Sequence, residues 1–232
     1  RETIMGKSDY ERNTVSASGQ TDDYDIVRIV DQGAPRSVLF VGNSITRHKP
    51  KPEIGWDHDW GMAASCEEND YVHVAVRLIE QKLGPVNYCT ACCGEWERHY
   101  WEDETRLSDW KAARDFAADI VVIRIGENVW GIRDKLNEYP FRPHYERMVR
   151  YFASAPRAKV IITDLFWEDF GINEDIRRTA QENGYAFVHL GDLGARDRDE
   201  YKAIGKFWHG GVAIHPNDEG MRLIAGRIAE KI

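Results

Sequence analysis

Cysteine is scarce in this chain of 232 residues: there are four, Cys66, Cys89, Cys92 and Cys93. Four thiols cannot staple a chain of this length, so a disulfide framework is excluded and the fold must rest on a hydrophobic core. Three of them crowd one apolar run and its end, with no His or Cys partners at regular spacing elsewhere. They read as small buried thiols rather than a zinc site. Long apolar runs are missing too, and none approaches the ~20 residues of a membrane-spanning helix. No signal peptide is visible. The first residue is Arg1, not Met, so a cytoplasmic chain and an exported mature form both fit. A basic excess is absent: the net charge is −8. That argues against non-specific nucleic-acid binding and against an anionic membrane surface. There are no internal repeats and no low-complexity tract.

What is present is the composition of an ordinary globule, 42% hydrophobic and 30% charged, long enough for one domain with a sizeable core. Residues 1–36 are polar and follow no period, the pattern of an irregular arm, with a short strand suggested at IVRIV, 26–30. From residue 37 to 232 a rhythm takes over. Short apolar runs at 37–41, 86–91, 119–125, 159–165 and 186–190 alternate with helical spacing at 70–83, 107–117, 141–153, 173–183 and 217–231. Near-continuous apolar strands between amphipathic helices predict a parallel sheet covered on both faces. One α/β domain follows, a three-layer α/β/α sandwich around five parallel strands.

Ligands of such sheets bind outside the carboxyl ends of the strands. The first strand ends on Gly42-Asn43-Ser44, the second on a segment with Gly94, the third on Gly126-Glu127-Asn128, and the segment after the fifth carries His209 and His215. Alone, each has a plain structural explanation. Asn-Ser pairs satisfy turns, Gly126 and Asn128 punctuate loops, and His215-Pro216 can enter a helix capped by Asn217 or Asp218. Together they are what acyl transfer needs. A serine hydroxyl is a poor nucleophile until a base such as His takes its proton. The oxyanion needs preorganised donors, here the N–H groups of Ser44 and Gly94 and the side-chain amide of Asn128.

These four blocks, in this order, resemble the SGNH (GDSL-like) hydrolase superfamily over roughly residues 37–232. The resemblance implies a flavodoxin-like sheet, ester hydrolysis without a cofactor, Ser44 as nucleophile and His215 as base. The G-x-S-x-G elbow of α/β-hydrolases is absent, since residue 46 is Thr. One departure stands out. The family usually carries an acid three residues before the histidine, and here that position is Val212. The imidazole would then be oriented by a backbone carbonyl or by a carboxylate such as Glu127 or Asp192.

Eight tryptophans complete the pattern, and all but Trp110 fall in segments that follow predicted strands. Trp56, Trp60, Trp130 and Trp208, with Glu127 and Asn43, are therefore expected to contact substrate, since flat amphipathic rings suit sugar faces. The long connection 45–65 is expected to form one wall of the pocket. Asp57, His58 and Asp59 are successive residues, a poor arrangement for a metal, and no metal site is expected. The expected function is a serine esterase removing acetyl groups from a carbohydrate, and the expected partner is a small-molecule or glycan ester substrate. A lipase or thioesterase on the same fold, or an inactive carbohydrate-binding module, are the alternatives. Neither a nucleic-acid nor a membrane partner is expected, and the oligomeric state is open.

Overall fold

Runs of Val, Ile, Leu and Phe without polar interruption give the sheet its strands. The computed structural model describes residues 25–232 apart from Asp103; the side chains of residues 104, 105 and 130–133 also lie outside the described set. Six strands form one sheet: β1 (Val27–Val30), β2 (Arg36–Gly42), β3 (Val86–Cys92), β4 (Ile120–Arg124), β5 (Lys159–Thr163) and β6 (Ala186–Val188). Their order is β1-β3-β2-β4-β5-β6, and every pairing is parallel except β1 on β3. The five parallel strands thus follow the flavodoxin-like order, with β2 at the point where the winding reverses.

The period of two along each strand divides the core. Val38 and Phe40 of β2 and Ile120 and Val122 of β4 face one layer; Leu39, Val41, Val121 and Ile123 face the other. The first layer is closed by α1 (Tyr71–Leu83) and the last helix, α8 (Asp218–Ala229). The second is closed by α5 (Phe141–Phe152) and α6 (Phe170–Asn183). Shorter helices α2 (Gly94–Arg98), α3 (Lys111–Asp115), α4 (Arg133–Leu136) and α7 (Gly210–Ala213) occupy connections. Side chains accept hydrogen bonds from orphan N–H groups at three helix starts, Asp70 for α1, Asp169 for α6 and Asn217 for α8. Among the described residues no helix is long and apolar enough to cross a membrane.

Two expectations are corrected. The sheet has six strands rather than five, because β1 adds to the outer side of β3 antiparallel. The sequence suggests a strand at 26–30, but so short a run inside a polar segment carries no sign that it pairs with the sheet. β1 falls within the stretch 1–36, of which residues 1–24 lie outside the described residues. The helix expected over 107–117 is split into a 3-10 turn, Glu104–Trp110, and α3. The break falls at Trp110, whose indole N–H donates to the Cys92 carbonyl at 2.9 Å.

Candidate active site

β2 ends where it does because residue 42 has no room for a side chain. A Cβ there would lie 1.8 Å from Thr46 Oγ1 and 2.9 Å from the Arg124 carbonyl oxygen. Past this close approach the chain turns, and the Asn43 carbonyl accepts from the N–H groups of Thr46 (2.9 Å) and Arg47 (3.1 Å). Ser44 is carried on that turn. Its Oγ lies 2.8 Å from Nε2 of His215, which follows α7. The other ring nitrogen, Nδ1, lies 2.7 Å from the Gly211 carbonyl oxygen. A carbonyl only accepts, so Nδ1 carries the proton and Nε2 is left to accept from the serine.

Neither carboxylate considered from the sequence faces the ring. Asp192 is bound by Arg227, at 2.8 Å to one guanidinium nitrogen, and Glu127 is turned into a buried network. Val212 packs in a satellite apolar cluster with Trp56, Met62 and Phe207. Trp167 meets the His215 ring edge-on at 4.9 Å. Burial drives the imidazole pKa down to about 3; the Gly211 carbonyl pulls it back up, while His48 and Arg124 push it further down.

Beneath the turn lies a polar network that the sequence did not announce. Glu97 and Arg124 are fully buried. One Glu97 oxygen accepts from the Gly126 N–H (2.6 Å), the Asn43 amide (3.0 Å) and the Asn128 N–H (3.2 Å). The other accepts from the Asn128 amide at 2.5 Å. Glu127 accepts from the Asn43 amide (2.7 Å), the Phe166 N–H (3.2 Å) and the Arg124 guanidinium, which also donates to the Asn43 side-chain oxygen. A single carboxylate therefore ties the strand ends of β2 and β4 together. Gly126 permits this with φ +137, where a Cβ would strike Leu165 at 2.8 Å. Burial first, then the Glu127 charge, raises the Glu97 pKa to about 7, against the pull of its hydrogen bonds. Arg124 left one trace in the sequence, a charge inside an otherwise apolar strand. Glu97, three residues beyond Gly94, left none.

Ser44 and His215 open into a cavity of about 380 Å³, lined also by Asn43, Gly94 and Asn128. The 45–65 connection supplies Arg47, His48, Lys49, Ile54 and Met62 to its wall. The N–H groups of Ser44 and Gly94 make no hydrogen bond to another described residue. One proton of the Asn128 amide goes to Glu97, which leaves the second for the cavity.

The structure brings Ser44, His215, Gly94 and Asn128 together but redistributes the expected substrate contacts. Among the described residues no tryptophan lines the cavity. Trp56 is fully buried, with its N–H donated to the His48 carbonyl at 3.1 Å, so it packs the long connection and cannot touch substrate. Trp60 is half-buried, stacked on His58 at 4.1 Å and hydrogen-bonded to Ala64. Trp208 is 55% exposed and lies against Gly55, outside the cavity lining. The Trp130 side chain lies outside the described residues. Glu127 and the Asn43 amide are occupied by the buried network. Large rings in long loops were needed to pack those loops, and packing claimed them first. Asp59, from the WDHDW stretch, holds Arg47 and Arg28, each at 2.8 Å.

Glu97 and His215 bend the pH dependence of stability in opposite directions. Glu97 keeps in the folded state a proton that the unfolded chain loses above 4.5, so its contribution is full below that pH and lost as pH rises toward 7. The unfolded chain binds a proton at His215 below 6.5 that the native state refuses until about 3, so stability is lost as pH falls through that range. Between 4.5 and 6.5 the two slopes oppose. Urea denaturation across that window should give an unfolding free energy that rises with pH in Glu97→Gln and falls in His215→Gln. The wild type should be flatter than both. Three parallel pH profiles would show that these groups do not titrate as their surroundings dictate.

The GDSL-like lipase/acylhydrolase family profile matches residues 40–223. No curated protein sequence matches the chain. Among solved structures, an acetylxylan esterase from Geobacillus stearothermophilus is similar at TM-score 0.52 and 17% identity, covering 85% of this chain and 94% of its own. A lipase/acylhydrolase from Enterococcus faecalis gives TM-score 0.52 and 16% identity, with 85% and 95% covered. A psychrotrophic esterase from a Pseudoalteromonas species, solved with monoethylphosphonate as inhibitor, gives 0.51 and 12%, with 84% and 96% covered. At such identities the likeness is one of fold.

Proposed function

This chain belongs to the GDSL-like lipase/acylhydrolase family, and from that premise we propose that it is a serine esterase removing acetyl groups from a carbohydrate. The Ser44 hydroxyl attacks the ester carbonyl carbon as His215 Nε2 takes its proton. The N–H groups of Ser44 and Gly94 and the free amide proton of Asn128 receive the oxyanion. The imidazolium then protonates the departing sugar oxygen, and a water attacks the acyl-serine by the same route to release acetate. The sequence calls for no metal or cofactor. The observation that carries this reading is the 2.8 Å contact between Ser44 Oγ and a His215 nitrogen whose tautomer is already set for accepting.

The sugar half of the proposal rests on the cavity wall. Its residues are mostly polar or charged, with Ile26, Ile54 and Met62 scattered among them, and it offers no continuous aliphatic groove for a long acyl chain. A protein of similar fold bears the name acetylxylan esterase. Two measurements test the whole. Aryl acetate should be hydrolysed well ahead of aryl octanoate, and acetate should be released from acetylated glycans; octanoate preference would return the protein to the lipases, and no turnover by folded protein would leave a binding module. Asn128→Ala should lower kcat by roughly 10²–10³ with KM little changed. A raised KM at constant kcat would make Asn128 a binding residue instead.

A further inference from the structure

The cavity reverses the charge of the molecule around it. The chain carries −8 overall, yet Arg47, His48, Lys49 and Arg98 line this space and Glu95 is the one carboxylate among its described lining residues. Glu95 already accepts from Arg98 at 3.1 Å. Arg47 is spent as well, its buried guanidinium held by the half-buried Asp59 at 2.8 Å. Lys49 is different: it is exposed and makes no ion pair with another described residue. Burial lowers the His48 pKa, the Lys49 carbonyl pulls it back up, and the positive charges of Lys51, Lys49 and Arg98 lower it further.

Arg98 stands beside the reacting centre. Its guanidinium donates to the Gly94 carbonyl at 3.1 Å and to the Asn128 side-chain oxygen at 3.3 Å, so it spans the two segments that carry the proposed oxyanion donors. A Cβ built on Gly94 would find Arg98 Nη1 as its nearest neighbour, at 3.7 Å. A substrate carboxylate entering this cavity would meet Lys49 and the Arg98 guanidinium, which it would share with Glu95, and guanidinium–carboxylate hydrogen bonds are among the stronger recognition contacts.

We propose that the site selects esters bearing a carboxylate, and, resting on the carbohydrate reading above, that its substrate class is O-acetylated acidic sugars of the uronic acid type. Lys49 and Arg98 are then specificity-determining residues, acting on binding more than on chemistry. The 45–65 connection has one further purpose: it brings Lys49 to the cavity that Arg98 also lines.

The test is a matched pair that differs in charge alone, an acetylated galacturonate with its free carboxylate and the same compound as its methyl ester. At low salt the wild type should show a kcat/KM about tenfold higher for the charged form, mostly through KM, and screening in strong salt should shrink that ratio toward one. Lys49→Glu should turn the preference toward the methyl ester. A wild type that treats both alike, or prefers the methyl ester, overturns the proposal. If neither sugar is hydrolysed but aryl acetates are, the carbohydrate reading falls alone. The charge inference is then read from 4-acetoxybenzoate against its methyl ester, as the change in their kcat/KM ratio between wild type and Lys49→Glu. No change in that ratio overturns it. If no ester is hydrolysed, calorimetric binding of trigalacturonate against its methyl-esterified form decides: tighter binding of the charged trimer supports the proposal, and equal binding ends it.

Discussion

Ser44→Ala should remove ester hydrolysis, lowering kcat by on the order of 10⁶, the scale on which a nucleophile and its base act as a unit. The alanine side chain keeps the turn, because what holds the turn is the Asn43 carbonyl and the absence of a side chain at Gly42. Thermal unfolding should therefore be unchanged. His215→Ala should cost nearly as much, and the double variant little more than either. The missing acid sharpens the result. In a full triad, loss of the carboxylate costs ~10⁴ in kcat. Here Nδ1 donates to a neutral carbonyl, so Asp192→Asn, at a carboxylate held by Arg227 with His189 beside it, should leave kcat within about twofold. A carbonyl orients the ring but adds no charge to stabilise the imidazolium. The acid limb of kcat/KM should accordingly lie well below pH 6.5, in line with an imidazole pKa of about 3. An acid limb near 6.5, or full activity in Ser44→Ala, would remove Ser44 and His215 from the roles proposed for them.

Arg124→Met should be the most destabilising single change in the site. The guanidinium is fully buried and holds Glu127 and Asn43, with Glu97 close by. Removing the cation strands carboxylates in the interior, a loss of about 3–5 kcal/mol. For a domain of this length that corresponds to a melting temperature lower by on the order of 10 °C. Protonation relieves stranded carboxylates, so the deficit should grow as pH rises. Arg124→Met combined with Glu127→Met should regain much of the loss, because a buried pair replaced whole costs far less than a buried pair broken. A single variant with the wild-type urea midpoint would show that the network contributes nothing to the fold.

How much of this was legible in the sequence depends on the range of the interaction concerned. Val38–Val41 and Ile120–Ile123 announced central strands because burial on both faces leaves a local record. The convergence of Ser44, Gly94, Asn128 and His215 followed from strand ends, since a parallel sheet puts all its carboxyl ends on one side. The Gly211 carbonyl could not be foreseen, because every residue has a carbonyl and only the backbone path shows which one meets the ring. Glu97 was hidden for a related reason. A surface helix and a buried hub use the same glutamate, and its three-dimensional neighbours, Asn43 and Gly126, lie far off in the chain. The tryptophans erred the other way. Their position after strand ends was read correctly, but Trp56 serves the interior of a loop rather than a ligand.

β1 carries a consequence for where the working unit begins. The family match starts at residue 40, inside β2. Yet Ile26 lines the cavity, its carbonyl accepts the Cys92 N–H at 2.8 Å, and the Asp25 carbonyl accepts from Arg47 at 2.6 Å. A chain cut back to Arg36 would keep every block of the family pattern and lose one side of its pocket. It would also bare the outer backbone of β3, a row of unpaired N–H and C=O groups that invites strand addition from another molecule. The natural chain closes that row with its own β1. Self-association in such a shortened protein would thus follow from the missing strand, even with the catalytic turn intact.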